Sequence, residues 1–323
     1  MRDAPELLER ARELTGRSLR QARLITDTTN FMNLELGDVL EVEGRRFVLK
    51  GTEYEGRFGL DEQPKYWVKR AVDWEDGSAK ILKLEFFEEF DISRGGIKVR
   101  CYRSPAKEAR ILAMVKGNPN FMQGITLRDE AGNLVRVLER IHGGPLDQHL
   151  QKLECDHQEY FQRHMRGVLT KLSVALEAIG WLHNQGAHHG DIRRDHLFVD
   201  EASGAWPWID FDYKFEFKQN PYGLDLFGLG NVLTYAVARR DITYHWVRQE
   251  YPQAEEKLRP EDFSPVIKNR LMNLKKIYPY LPESLNNVLL HFSNGAAVFY
   301  ERVEELMAEL TPAIAELPQG EEA

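Results

Sequence analysis

Long apolar runs are missing from this chain of 323 residues. None approaches the roughly 18 consecutive apolar residues that a membrane-spanning helix requires. The first segment, MRDAPELLERARELTGR, is charged throughout and has no apolar centre of the signal-peptide kind. Cysteine is scarce as well. Cys101 and Cys155 are the only two, far apart; they form no metal or redox spacing, and a reduced, cytoplasmic compartment is expected. There is no basic excess either: 43 Lys and Arg against 51 Asp and Glu give a formal net charge of −8. The two signs are mixed along the chain, so no basic face for nucleic acid is expected. Internal repeats are absent, and the short acidic end from Gln319 to Ala323 is the only biased tract.

What is present is a globular composition, 42% hydrophobic and 29% charged. That is enough for a sizeable core in one two-lobed domain or two small ones. From Pro5 to about Thr26, leucines and alanines recur at helical spacing and predict one or two amphipathic helices. From Asp38 the period shortens. VLEVEGRRFVLKG, KYWVKRAVDW and AKILKLEFFEEF alternate apolar with polar residues, and turns at Glu43-Gly44 and Glu75-Asp76-Gly77 separate these antiparallel strands. Ser104 is placed to cap a helix with Pro105 at its first position. GITLRDEAGNLVRVLERI predicts a further hairpin, and Gly143-Gly144-Pro145 breaks the strand pattern. After that helix dominates: Val168, Leu172, Leu176, Ile179 and Leu182 form one apolar stripe, and the pattern past Pro221 is helical to the end. A strand-rich part followed by a helix-rich part suggests an α+β fold with a cleft between two lobes. The expected divisions are an N-terminal helical extension over 1–33, a first lobe over 34–142 and a second over 143–323.

The stretch from Leu182 to Tyr213, LHNQGAHHGDIRRDHLFVDEASGAWPWIDFDY, places Asp191 and Asp210 at two short apolar runs joined by a turn in EASGAW. One carboxylate can take a proton from a nucleophile while the other holds a metal that carries phosphates. The string Leu-His-x-x-Gly-x-x-His-x-Asp ending at Asp191, followed by Ile209-Asp210-Phe211, resembles the catalytic and metal-binding segments of the protein kinase superfamily. The resemblance runs over roughly residues 38 to 310 and is carried most strongly by Leu182 to Gly230. It implies a two-lobed protein-kinase-like α+β fold, with an antiparallel sheet in the N-lobe and helices in the C-lobe, that binds ATP with Mg2+.

Carried residue by residue, the resemblance makes Asp191 the catalytic base and Asp210 the metal aspartate. Arg193 stands where the family places a lysine near the γ-phosphate, and a guanidinium there can neutralise charge on the transferring group. Lys83 in GSAKILK, six residues after Gly77, looks like the lysine that grips the α- and β-phosphates. Taken alone it is also an ordinary polar residue of a half-buried strand, like Lys80. Glu108 in KEARIL would be the helix acid that pairs with Lys83, and otherwise a solvated helix charge. Tyr54-Glu55-Gly56-Arg57-Phe58-Gly59 resembles the glycine-rich phosphate loop with Tyr54 in place of the first glycine. Gly56 and Gly59 would let backbone amides approach phosphate, or serve only a turn. About six residues including Pro64 are expected between this loop and the next strand. Glu139 to Ile141 should form the hinge whose backbone reads adenine. Asp225, followed by Gly230, resembles the buried aspartate that ties down the catalytic loop, with a favourable acid at a helix start as its alternative.

Three departures stand out. His196 occupies the position of the second metal ligand, usually asparagine. Magnesium prefers oxygen, so His196 either bonds Asp191 or a metal-bound water, or the site takes manganese. His189-Gly190-Asp191 has glycine where loop-regulated kinases carry arginine, the form seen in antibiotic-type small-molecule kinases. Asp212 replaces the glycine of Asp-Phe-Gly, either adding a carboxylate near the metal or facing outward. His188 and His189 read as structural, one bonded within the loop and the other exposed. Only 15 residues (225 − 210) separate Asp210 from Asp225, and YKFEFKQNPYG holds no serine or threonine. The acceptor is therefore expected to be a folded protein or a compact small molecule with a hydroxyl, not a short peptide, and control by loop phosphorylation is not expected. The chain reads as an ATP-dependent phosphotransferase, an atypical serine/threonine protein kinase. The alternatives are a small-molecule kinase of the antibiotic or sugar type, and a pseudokinase that binds nucleotide without transfer.

Overall fold

The computed structural model describes residues 4–57, 60–94, 97–215 and 220–320. In chain order the strands are β1 (Leu24–Ile25), β2 (Val39–Val42), β3 (Arg45–Arg57), β4 (Leu60–Asp73), β5 (Ala79–Lys83), β6 (Glu89–Arg94), β7 (Ile97–Arg103), β8 (Gly124–Arg128), β9 (Leu134–Glu139), β10 (Gly143–Pro145), β11 (Phe198–Asp200) and β12 (Tyr213–Phe215). The helices used below are α1 (Ala4–Thr15), α2 (Pro105–Met114), α3 (Leu146–Gln151), α4 (His157–Arg163), α5 (Met165–Asn184), α6 (Gly223–Ala238), α7 (Tyr244–Glu250), α8 (Pro252–Glu255), α9 (Glu283–Leu290) and α10 (Val303–Ala315). The chain divides into two compact units: Met1–Glu88, Arg103–Asn118 and Met122–Ile141 make the first, and the remainder the second.

The first unit is a seven-stranded sheet in the order β1-β2-β3-β4-β5-β9-β8. Only β1 and β2 run parallel; the other neighbours are antiparallel. Alternation does what it should here: Leu40, Val42, Phe47, Leu49, Leu82 and Val137 turn to one buried face. Each such side chain contributes roughly 1.5–3 kcal/mol by leaving water. On the other face Leu7 and Ala11 of α1 pack with Val39 and Val48. Of the one or two N-terminal helices expected, the described residues hold one, α1; Leu24 and Ile25 pair with Val39 and Leu40 as an edge strand. Ser104 caps α2 as expected, its hydroxyl accepting the Lys107 amide, with Pro105 at the first position.

AKILKLEFFEEF does not stay one strand. β5 ends at Lys83, and after an irregular stretch the chain resumes as β6, which joins β7 and β12 in a separate three-stranded sheet of the second unit. Gly143-Gly144-Pro145, expected as a break, instead pairs with Phe198–Asp200. Gly143 must be glycine there, because a Cβ would collide with the Val199 carbonyl.

The second unit is built on α5, whose predicted stripe Val168, Leu172, Leu176, Ile179 and Leu182 is fully buried. α10 packs on α5. Gly180 leaves room for this, since a Cβ would stand 3.1 Å from Val303 Cβ. The helical pattern expected from Pro221 onward holds for α6, α9 and α10. Between residues 256 and 282 it gives way to turns and short 3-10 segments, where prolines 260, 279 and 282 interrupt it. No described helix is long and apolar enough to cross a membrane.

Candidate active site

In the first unit, Lys83 ends β5 and Glu108 lies in the first turn of α2. Lys83 Nζ bonds Glu108 Oε1 at 2.6 Å, with side chains 3% and 0% exposed. The solvated-charge alternative for Glu108 is thereby removed. Its other oxygen is taken by a residue the sequence reading missed: Arg136 Nε donates to Glu108 Oε2 at 3.1 Å. The available signal was a charged side chain inside the apolar run LVRVLE, because a buried charge requires a partner.

Tyr54-Glu55-Gly56-Arg57 is not followed by a six-residue spacer. It is the end of β3, with Tyr54 opposite Pro64, Glu55 opposite Gln63 and Arg57 opposite Leu60. Pro64 lies within β4, and the pairing shifts register between Glu55 and Arg57. Gly59 and Phe58 fall outside the described residues. At the expected hinge, the Glu139 amide donates to the Gln123 carbonyl, and its carboxylate binds Lys80 Nζ at 2.6 and 2.7 Å. Ile141 closes the first unit and is half-buried.

In the second unit, Asp191 and Asp210 are brought together by a hairpin. The Ile209 amide donates to the His196 carbonyl, the Phe198 amide to Pro207, and the Asp200 amide to Ala205, with the turn where EASGAW placed it. His196, 7% exposed at its side chain, stands between the carboxylates: Nδ1 is 3.3 Å from Asp191 Oδ2 and Nε2 is 3.7 Å from Asp210 Oδ2. Nδ1 also lies 3.0 Å from the Asp191 carbonyl, and Nε2 3.1 Å from Arg193 Nη2. An arginine only donates, so Nε2 accepts and Nδ1 carries the proton to Asp191. Arg193 forks onto Asp195 at 3.1 and 2.6 Å and approaches Asp191 Oδ1 at 4.0 Å. Burial pushes the Asp195 carboxyl up, but the charge and hydrogen bonds of Arg193 outweigh it and hold it low.

The loop is braced from beneath. Buried Asp225 of α6 accepts the His189 amide at 2.7 Å and the Gly190 amide at 2.8 Å. The His183 ring lies 3.0 Å from the same carboxylate and stacks on Tyr222. Burial opposes charge on Asp225, yet the hydrogen bond and charge of the His183 ring hold its carboxyl well below the usual range. His183 stood in the motif with no role assigned to it. His189 is fully buried and its Nδ1 accepts the Asp191 amide at 3.2 Å, the structural role expected of it. Its neighbour His188 is half-buried against Phe215, not exposed. Gly190 has φ 91, a conformation that side chains avoid. Asp210 is also left-handed, at φ 61, a region where aspartate is enriched among non-glycine residues.

Asp212 does not face outward. Phe211, Asp212 and Tyr213 are 0%, 1% and 9% exposed, so this segment is enclosed on both sides and has no solvent face.

No protein-family model matches the chain. Among curated proteins it is similar to the MAP kinase-interacting serine/threonine-protein kinase mnk-1 of Caenorhabditis elegans, 26% identical over 102 residues, 31% of this chain and 13% of that protein. It is also similar to the death-associated protein kinase dapk-1 of the same organism, 23% identical over 205 residues, 63% of this chain and 13% of that one. The chain thus spans about an eighth of the length of these two relatives. Among solved structures, the PknI kinase domain of Mycobacterium tuberculosis aligns with a TM-score of 0.49 and 14% identity, over 87% of this chain and 99% of that one. The sequence matches are to protein kinases, and the resemblance to the protein-kinase-like superfamily carried by the motifs holds in them.

Proposed function

We propose that this chain, similar to the protein-kinase-like superfamily, is an ATP-dependent phosphotransferase acting on a hydroxyl. The observation that carries the reading is the position of His196 between Asp191 and Asp210, on a loop whose amides are held by buried Asp225. Asp191 is the base that orients or deprotonates the acceptor hydroxyl, and Asp210 is the ligand of a divalent ion. A carboxylate suits hard Mg2+. The His196 Nε2 lone pair already accepts from Arg193, so the donor set fits magnesium through Asp210 and does not fit His196 as a ligand. His196 then acts as the bracket that spaces the two carboxylates. A bound Mg2+ would supply neutralisation of phosphate charge. Lys83, held by Glu108, is assigned to the α- and β-phosphates, Arg193 to the transferring group, and Glu139 to Ile141 to adenine.

An atypical serine/threonine protein kinase is the reading we favour, in line with the kinase relatives and with the Lys83–Glu108 pair. A small-molecule kinase is the second reading. It is favoured by Gly190, whose φ of 91 would strain the arginine found there in loop-regulated protein kinases. In both, the acceptor is a folded protein or compact small molecule. Thermal-shift titration tests the nucleotide assignment. ATP with Mg2+ should stabilise the wild type, and Asp210→Ala should lose most of the metal-dependent part. A wild type unmoved by ATP and metal, or a variant that shifts as far as the wild type, contradicts it.

A further inference from the structure

Glu108 is engaged by two cations. Lys83 and Arg136 are direct cross-strand partners in the β5–β9 pairing, so their side chains leave the same face of the sheet with Cβ atoms roughly 5 Å apart. Like charges in that position repel. Here one carboxylate lies against both: Lys83 on Oε1 at 2.6 Å and Arg136 on Oε2 at 3.1 Å. The Lys83, Glu108 and Arg136 side chains are 3%, 0% and 1% exposed, so little solvent screens the arrangement. The guanidinium is itself fixed, since Nη1 donates to the Leu134 carbonyl and Nη2 to the Leu84 carbonyl, both at 2.9 Å. Its anchors are thus the backbone of β9 and the backbone just past Lys83.

We propose that Arg136 is a positioning residue that holds Glu108, and through it Lys83, in place as part of the folded sheet. The pairing of Lys83 with Glu108 is then built into the unit and needs no movement of α2 to assemble it. The inference rests on geometry alone for the anchoring of α2, and on the phosphotransferase reading for the loss of turnover that its disruption causes. Lysine cannot replace arginine here, because one ammonium cannot reach the carboxylate and both carbonyls in the same planar fork.

The test compares wild type, Arg136→Met and Arg136→Lys in three measurements: turnover per nucleotide-binding site, dissociation constant for ATP with Mg2+, and hydrogen–deuterium exchange of residues 105–114. Normalising turnover to binding sites removes any loss that reflects only unfolded protein. Misplacing a phosphate-holding group costs orientation in the reaction more than ground-state binding. Turnover per site should therefore fall at least tenfold in Arg136→Met, with the dissociation constant within about threefold. Arg136→Lys should recover only part of the turnover, and α2 should exchange faster in both. If Arg136→Met does not fold, Arg136→Lys carries the same comparison. Turnover per site within twofold of wild type, with unchanged α2 exchange, overturns the proposal. Should the wild type bind no nucleotide, the phosphotransferase reading fails and exchange alone decides: faster exchange in α2 supports the anchoring, and unchanged exchange overturns it.

Discussion

Two titratable groups of the second unit have opposite reasons for their protonation states. Asp225 stays charged because two loop amides and the His183 ring surround it. Asparagine would present an N–H2 to a site that already holds donors. Asp225→Asn should cost on the order of 3 kcal/mol, read as a lower urea midpoint; a loss under about 0.5 kcal/mol would mean the carboxylate does not brace the loop. With its folded pKa depressed, Asp225 contributes stability at neutral pH that is lost as pH falls below the ordinary carboxylate value of 3.8. His157 of α4 is half-buried and held neutral. Burial pushes it down to about 4, offset only in part by its bond to the Val237 carbonyl. The unfolded chain takes up that proton more readily, so the stability this group contributes is present above its ordinary value of 6.5 and is lost as pH falls toward 4. The span corresponds to about 3 kcal/mol at most. Denaturation of wild type and His157→Gln at a series of pH values checks this: the variant should show the shallower loss between those limits, and parallel curves would contradict it.

At the scale of the element, α6 does more than carry Asp225. Gly228, one turn on, lets the Asp191 loop lie against the helix. A Cβ there would stand 2.5 Å from Ile192 Cβ and 2.8 Å from the Ile192 carbonyl. Gly230 faces a different neighbour, the Phe292 ring. Both alanine variants should be destabilised by overpacking, by about 1–3 kcal/mol. Only Gly228→Ala displaces the residue beside Asp191. Its turnover per folded molecule should drop at least tenfold, by misplacement of the proposed base, while that of Gly230→Ala stays near wild type. Equal turnover in the two, with melting monitored alongside, would show that Gly228 serves packing only.

At the scale of the whole molecule, what could be read from the sequence was what local chemistry decides. The Ser104 cap, the stripe on α5 and the hairpin between Asp191 and Asp210 each depend on residues close in the chain, and each is present. The tie from Asp225 to the His189 and Gly190 amides spans 36 and 35 residues and was legible only through motif resemblance. The pairing of Arg136 with Glu108 was not legible, because it follows from the register of β5 against β9. The break after Lys83 was hidden for a related reason: AKILKLEFFEEF reads as one strand although it leaves the sheet after Lys83 and only its last two residues, Glu89 and Phe90, join another sheet. Asp212 was misjudged because enclosure on both sides leaves no mark in a short extended segment.

The central claim is that Asp191 performs chemistry while nucleotide is held by other groups. The most direct measurement is transfer of label from γ-labelled ATP with Mg2+ to generic protein and sugar acceptors, by wild type and Asp191→Asn, with ATP affinity determined for both. The account predicts transfer by the wild type, and a variant that binds ATP within a few-fold of it but transfers at least a hundredfold less. Equal transfer by the two proteins, or ATP bound by the wild type with no label passed to any acceptor, would contradict it.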